Sequence, residues 1–230
     1  MQADYPSNLS SLSVAVPSAQ KVLRNTYMLL AMTLLFSALT AAAAVALHVS
    51  YGVGLVSSLI ALALLWFAVP RTANSAAGIG VVFAITGLLG FGLGPVLNHY
   101  LALANGAQIV MLALGLTGIA FLGLSAYALT TRKDFSFMRS FLVAGVLVAF
   151  IASIVSLVAA LLGHPLPALA LTVSAMFAVL MCGMILYQTG EIVNGGETNY
   201  VLATIGLYVS LYNLFTSLLQ LLGAFMGERD

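Results

Sequence analysis

Seven long apolar runs, separated by short polar segments or by Gly and Pro residues, make up most of the chain. A helix needs roughly 20 apolar residues to cross a hydrocarbon core of about 30 Å. The runs show no alternation of period two, so the strands of a membrane barrel are disfavoured. The pattern predicts an all-α integral membrane protein whose seven transmembrane helices cover residues 26–47, 52–70, 76–97, 106–130, 140–162, 167–187 and 200–226.

Composition agrees with a chain that is solvated by lipid. Hydrophobic residues make up 62% of the 230 positions and charged residues 6%, whereas soluble domains carry about 25% charged residues. The net charge of +1 provides no basic surface, so no nucleic-acid partner is expected. We expect residues 23–230 to form one transmembrane domain. Residues 1–22 begin with a Ser-rich, nearly uncharged segment and are predicted to form a disordered tail.

The basic residues predict the orientation of the helices. All but one of the seven Lys and Arg residues fall on one side of the seven-helix arrangement, and the positive-inside rule makes that side cytoplasmic. The N-terminus is then cytoplasmic, and the C-terminus lies on the opposite side with Arg229. The residues on the cytoplasmic side are Lys21, Arg24, Arg71, Arg132, Lys133 and Arg139.

The chain lacks the residue sets of common membrane enzymes. It contains no HExxH motif, no phosphate-binding glycine loop, and no Asp or Glu in the middle of an apolar run for an aspartyl protease. The three histidines fall between the runs without acidic or cysteine partners, so no metal site is predicted. We therefore predict neither enzymatic activity nor a cofactor.

The last apolar run carries small and polar residues at intervals of three and four, with mostly large apolar residues between them. Polar groups that faced lipid would lack hydrogen-bond partners. The stripe therefore predicts a last helix that is central in the bundle, and its simplest role is helix packing. It comprises Ala203, Gly206, Ser210, Asn213, Ser217, Gln220 and Ala224.

The third run contains Gly90 and Gly94 at GxxxG spacing, followed by Pro95. Small residues at this spacing let two membrane helices approach closely. A proline removes one backbone donor and clashes with the preceding turn. We expect a close helix contact at the two glycines, and a kink or an end of the helix at Pro95.

Several stretches together resemble the Bax-inhibitor-like family of seven-span membrane proteins. The resemblance extends from about residue 21 to the end of the chain and is strongest to a bacterial branch of the family. The stretches are KVLRNTY at 21–27, GLLGFGLGPVLNHYLA at 87–102, TTRKDFSF at 130–137 and NGGETNYVLATIGLYVSLYNLF at 194–215.

This resemblance implies a fold in which the last helix is surrounded by the other six, and it implies two alternative activities. Some members are pH-sensitive calcium leaks governed by two aspartates, one at the end of the sixth span and one within the seventh. The bacterial branch instead looks like a group of modulators, and slow substrates, of the membrane-anchored, ATP-dependent FtsH protease.

The sequence departs from the leak pattern at the residues that would sense pH. The two aspartate positions fall on Gln188 and Ser210, which form hydrogen bonds but do not titrate. Glu191, one turn from Gln188, would replace the missing carboxylate only if the sixth helix continues that far. Arg71 is a candidate latch on Gln188 or Glu191, although an ordinary anchor at a cytoplasmic helix end is the simpler interpretation.

The segment between the last two runs is predicted to be a cytoplasmic turn. Asn194, Gly195 and Gly196 favour a chain reversal. Thr198 or Asn199 is placed to cap the last helix, and Glu197 suits the positive end of the helix dipole.

We therefore expect a multi-pass protein of the bacterial inner membrane that modulates an FtsH-type protease as a slow, competing substrate. Its expected partners are this protease, the membrane regulators associated with it and the lipid bilayer. The N-terminal tail would be the handle that the ATPase pulls. A leak that passes calcium or protons is the alternative.

Overall fold

The computed structural model describes residues 9–227, and within this range every regular element is helical. A short 3₁₀ turn, Ser136–Met138, precedes the sixth helix. The helices are α1 (Leu9–Ala46), α2 (Tyr51–Phe67), α3 (Val69–Thr72), α4 (Ala77–Leu101), α5 (Gly106–Thr131), α6 (Arg139–Leu161), α7 (Pro167–Val193) and α8 (Tyr200–Met226).

Six of the helices in the described range are long and apolar enough to cross a membrane. Helix α2 is also apolar but has 17 residues, fewer than the roughly 20 that a full crossing requires. It ends at Phe67 because Pro70, in the next turn, has no N–H to donate to the carbonyl of Trp66. The all-α prediction is confirmed, and the count of seven spans stays a prediction.

The first helix begins at Leu9, ahead of the apolar run that predicted it. Residues 9–22 are thus helical where the composition predicts disorder. A formed helix extends easily at its end because nucleation, the costly step, is complete. Residues 1–8 of the predicted tail lie outside the described residues. The division into a tail and a transmembrane domain stays a prediction.

Helices α1 and α4 meet at the glycines of the GxxxG spacing, as expected. A Cβ atom on Gly90 would touch the carbonyl oxygen of Ser37, and one on Gly94 would touch the side chain of Ala44. Helix α4 nevertheless continues past Pro95 to Leu101, so of the two expected effects of Pro95 an end of the helix is wrong, and a kink stays a prediction. The proline ring instead packs where α2 offers Gly54, whose missing side chain leaves it room.

Helix α8 is the most buried of the long helices. It packs against α1, α4, α5 and α7, while α2 packs mainly on α4 and α6 packs mainly on α7. Buried apolar side chains therefore cover most of its circumference, among them Leu207, Leu214 and Leu219. Four neighbours are observed, and enclosure by all six other helices stays a prediction.

A buried hydroxyl network holds α8 to two of its neighbours. The Tyr208 hydroxyl lies 2.6 Å from Oγ of Ser37 on α1, and it donates to the Thr86 carbonyl of α4 at 3.2 Å. Tyr208 is only 1% exposed, so its hydroxyl would otherwise be unpaired inside an apolar bundle. The network fixes the rotation of α8 relative to α1 and α4.

Candidate functional site

The two positions that the resemblance singled out are in contact. Ser210 of α8 donates its hydroxyl to Oε1 of Gln188 on α7 at 3.1 Å and shares the same proton with the Gly206 carbonyl at 3.1 Å. Ser210 is 2% exposed, while Gln188 is half-buried. Neither side chain titrates, so the pair joins two helices through a hydrogen bond that is independent of pH.

Gly206 makes this contact sterically feasible. A Cβ atom at Gly206 would lie 3.2 Å from Nε2 of Gln188, closer than ordinary van der Waals contact allows. The small residue of the predicted stripe therefore leaves space for the amide of the facing helix. The Ser210 bond uses one end of that amide, and the other end makes no hydrogen bond to another described residue.

One further residue of the polar stripe joins α8 to α7. Ser174 of α7 donates to Oε1 of Gln220 at 2.5 Å, a second polar bridge between these helices. Asn213 donates to the carbonyl of Val209, four residues earlier, and Ser217 is buried. These contacts agree with packing as the role of the stripe.

Helix α7 continues to Val193, six residues past the predicted end of its span at 187. Glu191 therefore lies on the same helix as Gln188, one turn further on. Its carboxylate lies against Gly196 and near the phenol of Tyr187. It makes no hydrogen bond to Ser210 in the structure, so the role of replacement sensor stays a prediction.

Arg71 lies at the end of α3, exposed, and donates from Nη1 to the carbonyl of Phe67 at 2.5 Å. Within the described residues it makes no hydrogen bond to Gln188 or Glu191. The contact that it does make caps a carbonyl at the end of α2. The latch therefore stays a prediction without a matching contact.

The turn between α7 and α8 has the predicted chemistry. Gly195 adopts a positive φ of 77°, which a glycine adopts without strain. Asn199 is the cap, since its Oδ1 accepts from the backbone N–H groups of Val201 and Leu202. The Glu197 carboxylate in turn accepts from the backbone N–H of Asn199 at 2.7 Å.

Asn199 also ties this turn to a distant loop. Its Nδ2 donates to the Ala73 carbonyl at 3.0 Å and to Oδ1 of Asn74 at 2.8 Å. The sequence predicts the cap but not this second role, because nothing in the short polar segment 71–75 indicates that it contacts Asn199. One side chain therefore fixes both the start of α8 and the α3–α4 loop.

Replacing Asn199 by Ala should lower the free energy of unfolding by about 1–2 kcal/mol, because the cap and two tertiary hydrogen bonds are lost together. The measurement is the temperature at which the protein in detergent loses its monodisperse peak in size-exclusion chromatography. Thr198→Ala is the control, since Thr198 is exposed beside the cap. Equal losses in both variants would contradict the role of Asn199.

A second loop approaches the same end of the bundle. Asn194 donates from Nδ2 to the carbonyl of Lys133 at 3.1 Å, which links the α5–α6 loop to the α7–α8 turn. In that loop the backbone N–H of Ser136 donates to Asp134 at 2.7 Å and lowers the pKa of this carboxyl below its ordinary value. The hydrogen bond thus favours the charged form of Asp134, and this charged form holds the turn of the loop.

Comparison with known proteins identifies the family. A family model described as "Inhibitor of apoptosis-promoting Bax1" matches residues 19–227. The chain belongs to this Bax-inhibitor-like family. The described residues contain no group of three or more His, Cys, Asp or Glu side chains that could hold a metal ion.

Relatives of this Bax-inhibitor-like protein include bacterial proteins of similar length. The "Modulator of FtsH protease YccA" of Escherichia coli is 48% identical over 213 residues, which cover 93% of each chain. An uncharacterized membrane protein of Vibrio cholerae is 48% identical over 91% of this chain and 92% of its own length. The resemblance inferred from the sequence is therefore confirmed, and so is the membrane character.

Proposed function

We propose that this protein is a non-catalytic modulator of an FtsH-type membrane protease, which it occupies as a slowly processed, competing substrate. The observation that carries the proposal is the 48% identity to the E. coli protein named for this role, over 93% of both chains. A relative from another E. coli strain, also 48% identical, is named "Inner membrane protein YccA", which supports a place in the bacterial inner membrane. The membrane regulators associated with the protease are further proposed partners.

The packing of α8 supports slow processing. An ATP-driven protease that extracts a membrane protein must separate its helices, and each polar group exposed to hydrocarbon without a partner is costly. The Ser37–Tyr208–Thr86 network and the Gln188–Ser210 and Ser174–Gln220 bonds hold α8 to three neighbours. Such a bundle would resist extraction after the protease has engaged it.

The N-terminal segment is the proposed point of engagement. The first 20 residues hold one acidic residue, no basic residue and two prolines, a composition typical of segments that do not fold alone. The positive-inside rule places them in the cytoplasm, on the side proposed for the ATPase. The C-terminus would then lie in the periplasm.

The leak remains the weaker of the two functions. Two facing carboxylates that share a proton would make a gate respond to pH, and the residues in contact here are Gln188 and Ser210. The side chains at these two positions are in contact, but neither of them titrates. This combination favours a structural role over a proton switch.

A pulse-chase experiment tests the proposal. Extra copies of the protein should slow the decay of a membrane substrate of the protease, and deletion of residues 2–15 should restore the normal rate. Replacing residues 2–15 by a Gly/Ser segment of the same length is the control, and we expect it to retain the slowing because the handle needs length and flexibility and not the helical turns that begin at Leu9.

Unchanged decay with extra copies would remove the basis of the modulator proposal. The leak would then be measured as proton and calcium flux in liposomes that contain the purified protein. Deletion of residues 2–15 should leave any such flux unchanged. Equal effects of the deletion on decay and flux would contradict the role of the tail as a handle.

A further inference from the structure

A deep groove opens beside the Gln188–Ser210 pair. Helix α2 packs mainly on α4 and α6 mainly on α7, which leaves a gap between α2 and α6. The cavity in this gap has a volume of about 580 Å³, within the range of about 300–1,000 Å³ that is usual for small-molecule sites. Most of its wall is apolar, and its rim includes the exposed side chains of Leu62, Trp66 and Leu147.

The groove extends through about half of the membrane. Its wall includes Phe177 to Gln188 on α7 and Leu202 to Asn213 on α8, which at about 1.5 Å per residue is roughly 16 Å along each helix. A hydrocarbon core measures about 30 Å. The groove therefore matches one leaflet, on the side of the α7–α8 turn, whereas a partner's membrane-spanning helix would require a groove of full depth.

Charged side chains of both signs continue the walls of the groove toward the membrane surface. On α7 the lining residues Met181, Met184 and Gln188 are followed on the same helical face by Glu191. On α6, Arg139 lies two turns before the lining residue Val146, also on the same face. Both charges, together with the exposed carboxylate of Asp134, lie near Tyr187, so this end of the groove carries one positive and two negative side chains.

We propose that the groove binds a phospholipid with a zwitterionic, primary-ammonium headgroup, such as phosphatidylethanolamine. One acyl chain fills the apolar groove, the phosphate pairs with Arg139 and the ammonium pairs with Glu191. An arginine binds phosphate oxygens through two parallel hydrogen bonds, and a primary ammonium offers three donors to a carboxylate. The free end of the Gln188 amide lies below these charges, where it meets the ester groups of the lipid.

The charge pattern selects among lipids. A choline headgroup carries the same charges but has no N–H to donate to Glu191. An anionic glycerol headgroup pairs its phosphate with Arg139 but has no ammonium to balance the charge of Glu191. If Arg139 were the only charge at the mouth of the groove, an anionic lipid would bind best. Because Glu191 is also present, a lipid whose headgroup carries an ammonium is preferred. This site is independent of the protease proposal.

The only tryptophan in the chain reports on the groove directly. Trp66 forms part of its wall, and bromine atoms on a lipid acyl chain quench tryptophan fluorescence at short range. The protein is reconstituted in phosphatidylcholine bilayers that contain a minor fraction of brominated phosphatidylethanolamine, phosphatidylcholine or phosphatidylglycerol. We expect an apparent affinity for the ethanolamine lipid that is about two- to fivefold higher, the range that one exposed ion pair supplies.

Matched variants locate the effect. Glu191→Gln should reduce the preference toward one, whereas Arg139→Gln should weaken the binding of all three lipids because each of them carries the phosphate. Arg132→Gln, the same charge change on the adjoining loop, should leave both the binding and the preference intact. Val146→Phe should reduce quenching because the larger ring fills the groove. Val148→Phe, on an exposed position of α6 outside the groove, should not.

Three results would overturn the proposal. Equal quenching by the three brominated lipids would show that the groove holds only exchanging bulk lipid. A preference for the glycerol lipid, or a preference for the ethanolamine lipid that survives Glu191→Gln, would refute the headgroup assignment. The third result combines two observations: no lipid is preferred, and Val146→Phe abolishes the slowing of substrate decay while Val148→Phe does not. The groove would then bind a helix of the protease instead.

Discussion

Gly90→Leu should strongly destabilise the protein. A Cβ atom at this position already overlaps the backbone oxygen of Ser37 and the hydroxyl of Thr40, so α1 and α4 must separate to admit a side chain. Overpacking of this kind costs about 1–3 kcal/mol or more. Ser37 also forms a hydrogen bond with Tyr208 of α8, so displacing α1 would weaken this bond as well.

Gly80→Leu is the control for this prediction, because Gly80 lies on the same helix with no atom within 4 Å of an added Cβ. A loss of about 3 kcal/mol corresponds to a fall of roughly 6–12 °C in the melting temperature for a protein of this size. Size-exclusion chromatography after heating in detergent measures it. Equal melting temperatures for the two variants would contradict a close contact between α1 and α4.

The double substitution Gln188→Asp with Ser210→Asp should make stability depend strongly on pH. The present side chains touch at 3.1 Å, so two carboxyls there would share one proton and one pKa would rise well above its ordinary value. The stabilising contribution is complete below the unfolded pKa of about 3.9. It decreases as the pH rises from there through the raised pKa of the folded state.

For a pKa raised by about two units, the loss is roughly 3 kcal/mol. The measurement is the melting temperature between about pH 4 and pH 9. Gln188→Asn with Ser210→Asn is the control, because it has nearly the same shape and no titrating group. A constant difference between the two variants across this range would show that positions 188 and 210 do not lie together in the folded protein.

The sequence predicted the features that depend on local chemistry. The helix-forming runs, the close approach at Gly90 and Gly94, the cap at Asn199 and the reversal at Gly195 all follow from residue type and spacing. The pairing of position 188 with position 210 came from the family resemblance. The structure adds a bond of 3.1 Å between side chains that do not titrate.

The features that the sequence did not predict depend on tertiary packing. The continuation of α4 past Pro95 requires Gly54 on another helix, and the second role of Asn199 requires the loop at Ala73. The extension of α7 to Val193 was missed because polarity, rather than helix propensity, marked the end of the predicted span. The groove arises because α2 and α6 pack on different helices, which a list of spans does not show.

The most direct test of the modulator proposal is competition in a purified system. A membrane-anchored FtsH-type protease in lipid bilayers would degrade a reporter membrane protein at several concentrations, with and without this protein. We predict a higher apparent KM for the reporter, an unchanged kcat, and slow loss of the added protein itself. An unchanged KM, or a lower kcat at constant KM, would contradict a competing substrate.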